Sequence, residues 1–185
     1  MSRQAAFIDR DGVLNEERAF VHRIEDFAFV PGAIEALRAL RTAGYLLVVI
    51  TNQSGIARGL YSEADYLALT GHMREALQGA GVTLDAVEHC PHLADAPVER
   101  YRVDCDCRKP KPGMLTRAIR ALDIDAPASF IVGDRLSDVD AGRAAGIGRR
   151  FLVRTGHPLS EEAMAAADAV YDDLLACVKS VLALR

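Results

Sequence analysis

The sequence predicts an α/β fold, a Rossmann-like parallel sheet with helices on both faces. Short apolar runs alternate with stretches whose apolar residues recur at helical spacing, the pattern of strands joined by crossover helices. The helical stretches carry start and stop signals in register with their stripes. No 20–50-residue period and no low-complexity tract competes with that reading.

In chain order, Ala5–Asp9 is the first expected strand. Pro31-Gly32 opens and Gly44 closes a helix on which Ile34, Leu37 and Leu40 share a face. Tyr45–Thr51 is the second strand. Ser62 with Asp65 forms a capping-box pattern ahead of the stripe Tyr66, Leu69, Met73 and Leu77. Ala86–Cys90 follows as a strand. Then come a helical stripe of Leu115, Ala118, Ile119 and Leu122, strands at Ser129–Gly133 and Arg150–Val153, and a last stripe of Leu174/Leu175, Val178 and Leu182. These stripes are read as core packing. Two connections, Leu14 to Pro31 and Pro91 to Pro112, are long for a compact domain, and such loops are usually functional. Neither is long enough to fold as a large cap domain, so an open site is expected.

A chain of 185 residues suits a single domain, residues 1–185. Half its residues are apolar and 26% are charged, which excludes disordered and collagen-like chains. The longest apolar run, Tyr45–Ile50, spans six residues, too few for a membrane-spanning helix. The first acid, Asp9, arrives too early for a secretory signal, so a cytoplasmic protein is expected. A net charge of −4 argues against a nucleic-acid surface. Any anionic ligand must therefore be met by a local cluster of cations.

The first strand ends in Asp9-Arg10-Asp11-Gly12-Val13-Leu14-Asn15. In open α/β sheets ligands bind outside the carboxyl ends of the strands. Two carboxylates two residues apart share a direction if strand geometry persists, and their repulsion calls for a cation or a division of labour. A divalent metal meets that need and also binds phosphate oxygen, and Gly12 permits a sharp turn beside the ligand. Taken alone, the segment also reads as a turn or helix cap. The second strand closes in Thr51-Asn52-Gln53-Ser54-Gly55, a hydroxyl followed by a loop able to offer N–H groups to phosphate. The fourth delivers Gly133-Asp134-Arg135-Leu136-Ser137-Asp138, and a basic run, Arg108-Lys109-Pro110-Lys111, precedes a helix. Singly, Thr51 is a turn residue and the basic run a solvated surface. Together they place acids, a hydroxyl and a lysine on one edge of the sheet.

Asp9-x-Asp11-Gly12, then Thr51, Lys109 and Gly133-Asp134-x-x-x-Asp138, resembles the four-motif pattern of haloacid-dehalogenase-like (HAD) hydrolases, in order and over most of the chain. The resemblance implies a HAD-type sheet and a phosphatase. Asp9 would be the nucleophile, passing through an aspartyl-phosphate, and Asp11 the general acid and base. Thr51 and Lys109 would hold the phosphoryl oxygens. Mg2+ would be held by Asp9, the Asp11 carbonyl and Asp134. For Asp138 the resemblance leaves two roles, support of the metal shell or a helix cap.

Three of the four cysteines, Cys90, Cys105 and Cys107, fall within eighteen residues. Cys90-Pro91-His92 and Cys105-Asp106-Cys107 form two tight pairs separated by twelve residues. Three thiolates and an imidazole complete a closed tetrahedral shell, the structural type of zinc site. A surface disulfide or scattered core thiols would leave His92 unexplained. Such a zinc would pin residues 90–107 beside the catalytic edge. Cys177 reads as a packed thiol, and His22, His72, His89 and His157 as ordinary surface or core residues.

Within the HAD hydrolases the zinc loop, with Thr51–Gly59 and Cys107–Met114, resembles a branch containing heptose-bisphosphate phosphatases and histidinol phosphatases. The twelve-residue spacer suits the former, which serve lipopolysaccharide or S-layer precursor synthesis. A small-molecule sugar bisphosphate is thus the expected substrate and a monomer the expected state, with no nucleic-acid or membrane partner. The expected substrate-binding residues are Glu17, Arg18, Ala19, Phe20, Asn52, Gln53, Ser54, Arg58, Arg108 and Arg135, with Lys111 a further cation for the second phosphate. Glu16-Glu17-Arg18-Ala19-Phe20 departs from the branch, which often has an acid followed by Gly-Tyr. Arg135 stands where Lys is common, keeping the charge but not the shape.

Overall fold

The computed structural model describes residues 3–184. The reading of the chain's start rests partly on Met1 and Ser2, which with Arg185 lie outside the described residues. Six strands form one parallel sheet: β1 (Ala5–Ile8), β2 (Leu46–Asn52), β3 (Ala86–Cys90), β4 (Phe130–Gly133), β5 (Arg149–Val153) and β6 (Ala169–Tyr171), in the order β3-β2-β1-β4-β5-β6. The helices are α1 (Ala33–Thr42), α2 (Ser54–Ala57), α3 (Glu63–Gly79), α4 (Gly113–Leu122), α5 (Leu136–Ala144), α6 (Glu161–Ala166) and α7 (Leu174–Ala183).

The central strand reads as an unbroken apolar run because both its faces are covered. Ala6 and Ile8 join Leu47, Val49, Phe130 and Val132 against α1 and α7, while Ala5 and Phe7 join Val48, Ile50 and Ile131 against α4. All five expected strands form, Ala86–Cys90 with the expected bounds and the others with ends shifted by one residue: Asn52 joins β2, and Asp9 lies just past β1. The ladder still reaches Asp9, whose N–H donates to the Val132 carbonyl at 3.0 Å. The capping box at Ser62/Asp65 is present, and Gly32 adopts φ 80° immediately before α1. Sequence periodicity gave no signal for α2, α5, α6 or β6. The α5 segment has small and acidic residues where a stripe would need larger apolar ones, and β6 has three residues.

Among the described residues no large cap covers the carboxyl edge. The first long connection carries a 3-10 turn at Ile24–Asp26 and an isolated antiparallel bridge between Asn15 and Phe29, and the second carries a 3-10 turn at Glu99–Tyr101. No helix among the described residues is long and apolar enough to cross a membrane.

One buried hydroxyl ties the central strand to the loop before β4. Ser129 accepts from the Ala5 N–H at 2.9 Å and donates to the Asp125 carbonyl at 2.6 Å. Ser129→Ala leaves the Ala5 donor unpaired, which costs about 1–3 kcal/mol. Urea unfolding is expected to show a lower midpoint at unchanged slope.

Candidate active site

The strand order reverses between β1 and β4, the point at which an open sheet parts to receive a ligand. Asp9 follows β1, Asp134 follows β4 and Thr51 lies near the end of β2, so three side chains distant in sequence meet at one crevice. The fourth contributor, Lys109, comes from the loop after β3. Its main chain is fixed by the Asn52 side chain, which donates to the Lys109 carbonyl at 3.1 Å and accepts from its N–H at 3.0 Å.

Lys109 is 4% exposed. Its ammonium lies 3.0 Å from Asp9 Oδ1 and 2.6 Å from Asp138 Oδ1, and donates to the Ile50 carbonyl at 3.2 Å. Burial works against that charge, yet Asp138 and Asp9 hold its pKa above the ordinary lysine value. Asp9 is raised well above the usual carboxylate range, by burial first and then by the charges of Asp138 and Asp134, with Lys109 opposing. Of the roles left open by sequence, Asp138 takes the helix cap, one oxygen accepting from the Arg135 N–H at the start of α5, while its other oxygen pairs with Lys109.

Asp9, Asp134 and Asp138 each bring an oxygen within 4.8 Å of the others. One lysine does not neutralise three buried carboxylates. Asp134 Oδ1 is buried without a hydrogen-bond partner in the described structure, the mark of a ligand atom held for a cation. Hard oxygen donors of this kind fit Mg2+.

Strand geometry does not persist through Asp11. The chain turns at Arg10, whose carbonyl accepts from Leu14 and Asn15, and Gly12 takes φ 81°. The Asp11 carboxylate is consequently held away from Asp9. Arg10, 1% exposed, contacts it through Nε at 3.2 Å and Nη2 at 2.9 Å; Asn15 Nδ2 and Gln53 Nε2 each donate at 3.1 Å. Gln53 Nε2 also donates to Thr51 Oγ1 at 2.8 Å, and Gln53 Oε1 accepts from Tyr61.

These groups open into a cavity of about 530 Å³. Asp9, Asp11, Thr51, Lys109 and Asp134 line it, as do Glu17, Ala19, Phe20, Asn52, Gln53, Ser54, Arg108 and Arg135. The side-chain amides of Asn52 and Gln53 are occupied in holding Lys109, Thr51 and Asp11. Arg18 and Arg58 are exceptions to the expected set. Arg18 is exposed and paired with Glu16, and Arg58 is exposed at the end of α2, so neither lines the cavity. Lys111 also lies outside, paired with Asp104 at 2.5 Å. The cavity's cations are therefore Arg108, Lys109 and Arg135.

Behind Arg108 the four expected zinc ligands converge. Cys90, Cys105 and Cys107 Sγ atoms lie 3.0–3.5 Å apart, and His92 Nδ1 is 3.4 Å from Cys107 and 3.9 Å from Cys90. The thiols are free of disulfides. Contact with the Cys90 thiol, chiefly, pulls Cys107 down to about 5, and contact with Cys107 followed by burial pushes Cys90 up, the asymmetry of thiols crowded round one point. Four soft and borderline donors with this spacing fit a closed zinc site. Arg108 reaches back to the His92 carbonyl at 3.5 Å.

Three residues of this site carried no usable sequence signal: Arg10, Tyr61 and His157. His157 was read as an ordinary histidine, yet it lines the cavity and contacts Asp134 at 2.7 Å. His22 stacks on Tyr61, His89 pairs with Glu63, and His72 packs edge-on to Phe27. Only spatial neighbours found across the fold give these rings their roles.

A family model described as HAD-hydrolase-like matches residues 106–177. The chain is 48% identical over 181 residues to D-glycero-beta-D-manno-heptose-1,7-bisphosphate 7-phosphatase of Photorhabdus laumondii, covering 98% of this chain and 96% of that protein. It is 49% identical over 170 residues to the protein of that name in Escherichia coli K12, covering 92% and 89%. The crystal structure of D,D-heptose 1,7-bisphosphate phosphatase from B. bronchiseptica, complexed with magnesium and phosphate, superposes with a TM-score of 0.85 at 34% identity. That match covers 98% of this chain and 99% of the other.

Because Asp9 is buried among like charges, Asp9→Asn is expected to raise the melting temperature of metal-free protein at neutral pH by about 2–4 °C. A carboxyl whose folded pKa is raised makes stability fall as pH rises through that value. Variant and wild type should therefore converge as pH is lowered through the Asp9 titration, where acid and amide carry the same charge. Calorimetry across a pH series measures the gap.

Proposed function

The chain belongs to the heptose-1,7-bisphosphate 7-phosphatase family of HAD-like hydrolases, and on that premise we propose that it removes the 7-phosphate of D-glycero-beta-D-manno-heptose 1,7-bisphosphate. The observation that carries the reading is the Lys109 ammonium 3.0 Å from Asp9 Oδ1 at the floor of an open cavity. A lysine there holds a phosphoryl oxygen beside the attacking carboxylate and offsets the charge that builds up in the transition state.

In this account an Asp9 oxygen attacks phosphorus, and the bond from phosphorus to the C7 oxygen breaks. Asp11 gives the leaving alkoxide a proton, then takes one from the water that attacks the aspartyl-phosphate, freeing orthophosphate and Asp9. The cradle of Arg10, Asn15 and Gln53 keeps Asp11 oriented for both transfers. Thr51, its Oγ1 already accepting from Gln53, retains its hydroxyl proton for a phosphoryl oxygen. Asp9, the Asp11 carbonyl and Asp134 would hold Mg2+, which when bound polarises the phosphoryl group and offsets the carboxylate charges. Cys90, His92, Cys105 and Cys107 would hold a structural zinc that fixes the loop bearing Arg108 and Lys109. Arg108 and Arg135 are the cations left to meet the second phosphate, with Glu17, Ala19, Phe20 and Ser54 around the sugar. We read the enzyme as a cytoplasmic monomer.

Kinetics on both anomers of the bisphosphate, histidinol phosphate and p-nitrophenyl phosphate test the assignment. The heptose bisphosphate is expected to give the highest kcat/KM, and a preference for histidinol phosphate would overturn the substrate while sparing the chemistry. Asp9→Asn is expected to reduce phosphate release at least about 10³-fold; release at the wild-type rate would overturn the chemistry itself.

Arg108→Ala removes a charge-assisted contact worth about 1.5–3 kcal/mol, so kcat/KM for the bisphosphate should fall about 10–100-fold. Turnover of p-nitrophenyl phosphate, which has no second phosphate, should change far less. Equal losses on the two substrates would assign Arg108 to the reacting phosphate instead.

A further inference from the structure

Asp134 is gripped from one side by a single residue. Its Oδ2 accepts from the His157 N–H at 2.8 Å and from His157 Nδ1 at 2.7 Å, while Oδ1 is buried with no hydrogen-bond partner. A carboxylate oxygen only accepts, so Nδ1 carries the proton. The opposite ring nitrogen, Nε2, meets the Arg135 guanidinium, which only donates, so Nε2 is the acceptor. The two neighbours thus fix one ring tautomer, and a line of donors runs from Arg135 through His157 to Asp134.

The backbone leaves little room for another arrangement. A Cβ on Gly156 would lie 2.0 Å from Asp134 Oδ2, and one on Gly12 would lie 2.6 Å from it. Thr155 Oγ1 donates to the Gly12 carbonyl at 2.7 Å, tying the loop after β5 to the turn after β1. The grip is therefore built on a loop anchored beside the nucleophile.

We propose that His157 is a positioning residue for the metal site: by occupying Asp134 Oδ2 it reserves Oδ1 for Mg2+, and through Nε2 it holds Arg135 against the substrate cavity. This rests on the reading of Asp134 as a Mg2+ ligand. Partners that orient a ligating group typically alter metal affinity 10–100-fold when removed. A histidine read from sequence as ordinary thereby couples the cation that faces the substrate to the carboxylate that faces the metal.

Isothermal titration with MgCl2 alone, on zinc-loaded protein without substrate, tests the proposal. His157→Ala is expected to weaken Mg2+ binding about 10-fold or more. His157→Asn, whose amide nitrogen can stand near the Nδ1 position, should recover most of that loss. KM for the bisphosphate should rise in both variants, because Arg135 loses its acceptor. If His157→Ala fails to fold, His157→Phe keeps the bulk of the ring without the donor and must show the same weakening. A merely structural role would lower the melting temperature of metal-free protein, leave Mg2+ affinity unchanged and give no selective rescue by Asn. Wild-type affinity in a folded His157→Ala or His157→Phe overturns the inference alone. Failure of the wild type to bind Mg2+, or full binding by Asp134→Asn, overturns the underlying metal reading and this inference with it.

Discussion

A buried ammonium flanked by carboxylates is the constraint from which the site's architecture follows. Lys109 is almost wholly withdrawn from water, and its charge is tolerated because Asp9 and Asp138 lie within ion-pair distance and the Ile50 carbonyl accepts a further hydrogen bond. The converse also holds. Asp9, Asp134 and Asp138 crowd together at the crevice, and their repulsion would be severe without cations among them. Such a cluster persists only where backbone, loops and counter-charges hold it rigidly, because carboxylates in excess of the available cations repel one another in a low dielectric.

The fold supplies that rigidity from two directions. Parallel strands packed on both faces fix the points at which β1, β2 and β4 end, so the residues that follow have little positional freedom. Lys109 does not have that support, since it belongs to a loop. It is held instead by the Asn52 side chain and by the neighbouring cluster of three thiols and His92. Apolar packing of Leu93, Ala96, Val98 and Tyr101 covers the middle of that connection, and the Cys/His cluster and a pair of amide hydrogen bonds hold the part that bears Lys109.

Charge at the cavity wall is more selective than the sequence suggests. Of the arginines and lysines expected to face a ligand, Arg18 and Lys111 are neutralised by nearby acids, and Arg58 stands in solvent at a helix end. Arg108 and Arg135 remain, each in contact with an acceptor, the His92 carbonyl and the His157 ring. The amides of Asn52 and Gln53 likewise look inward, supporting the lysine and the second aspartate.

The alternation of apolar runs and striped helices determined the sheet and its helical cover, because burial imposes a periodicity that composition must satisfy. The spacing of Asp9, Asp11, Thr51, Lys109 and Asp134 was legible for a related reason: in a parallel sheet, strand ends are where side chains from distant segments meet. The Cys/His pairs were legible through ligand chemistry that acts over short sequence spans. Tertiary structure alone decided that Arg10 clamps Asp11, that Tyr61 reaches Gln53, that Asp138 pairs with Lys109, and that His157 joins Arg135 to Asp134. A hydrogen bond depends on the final positions of two groups within a few tenths of an ångström. Those positions come from loops whose paths are set by packing across the whole molecule, so no local pattern in the chain encodes them.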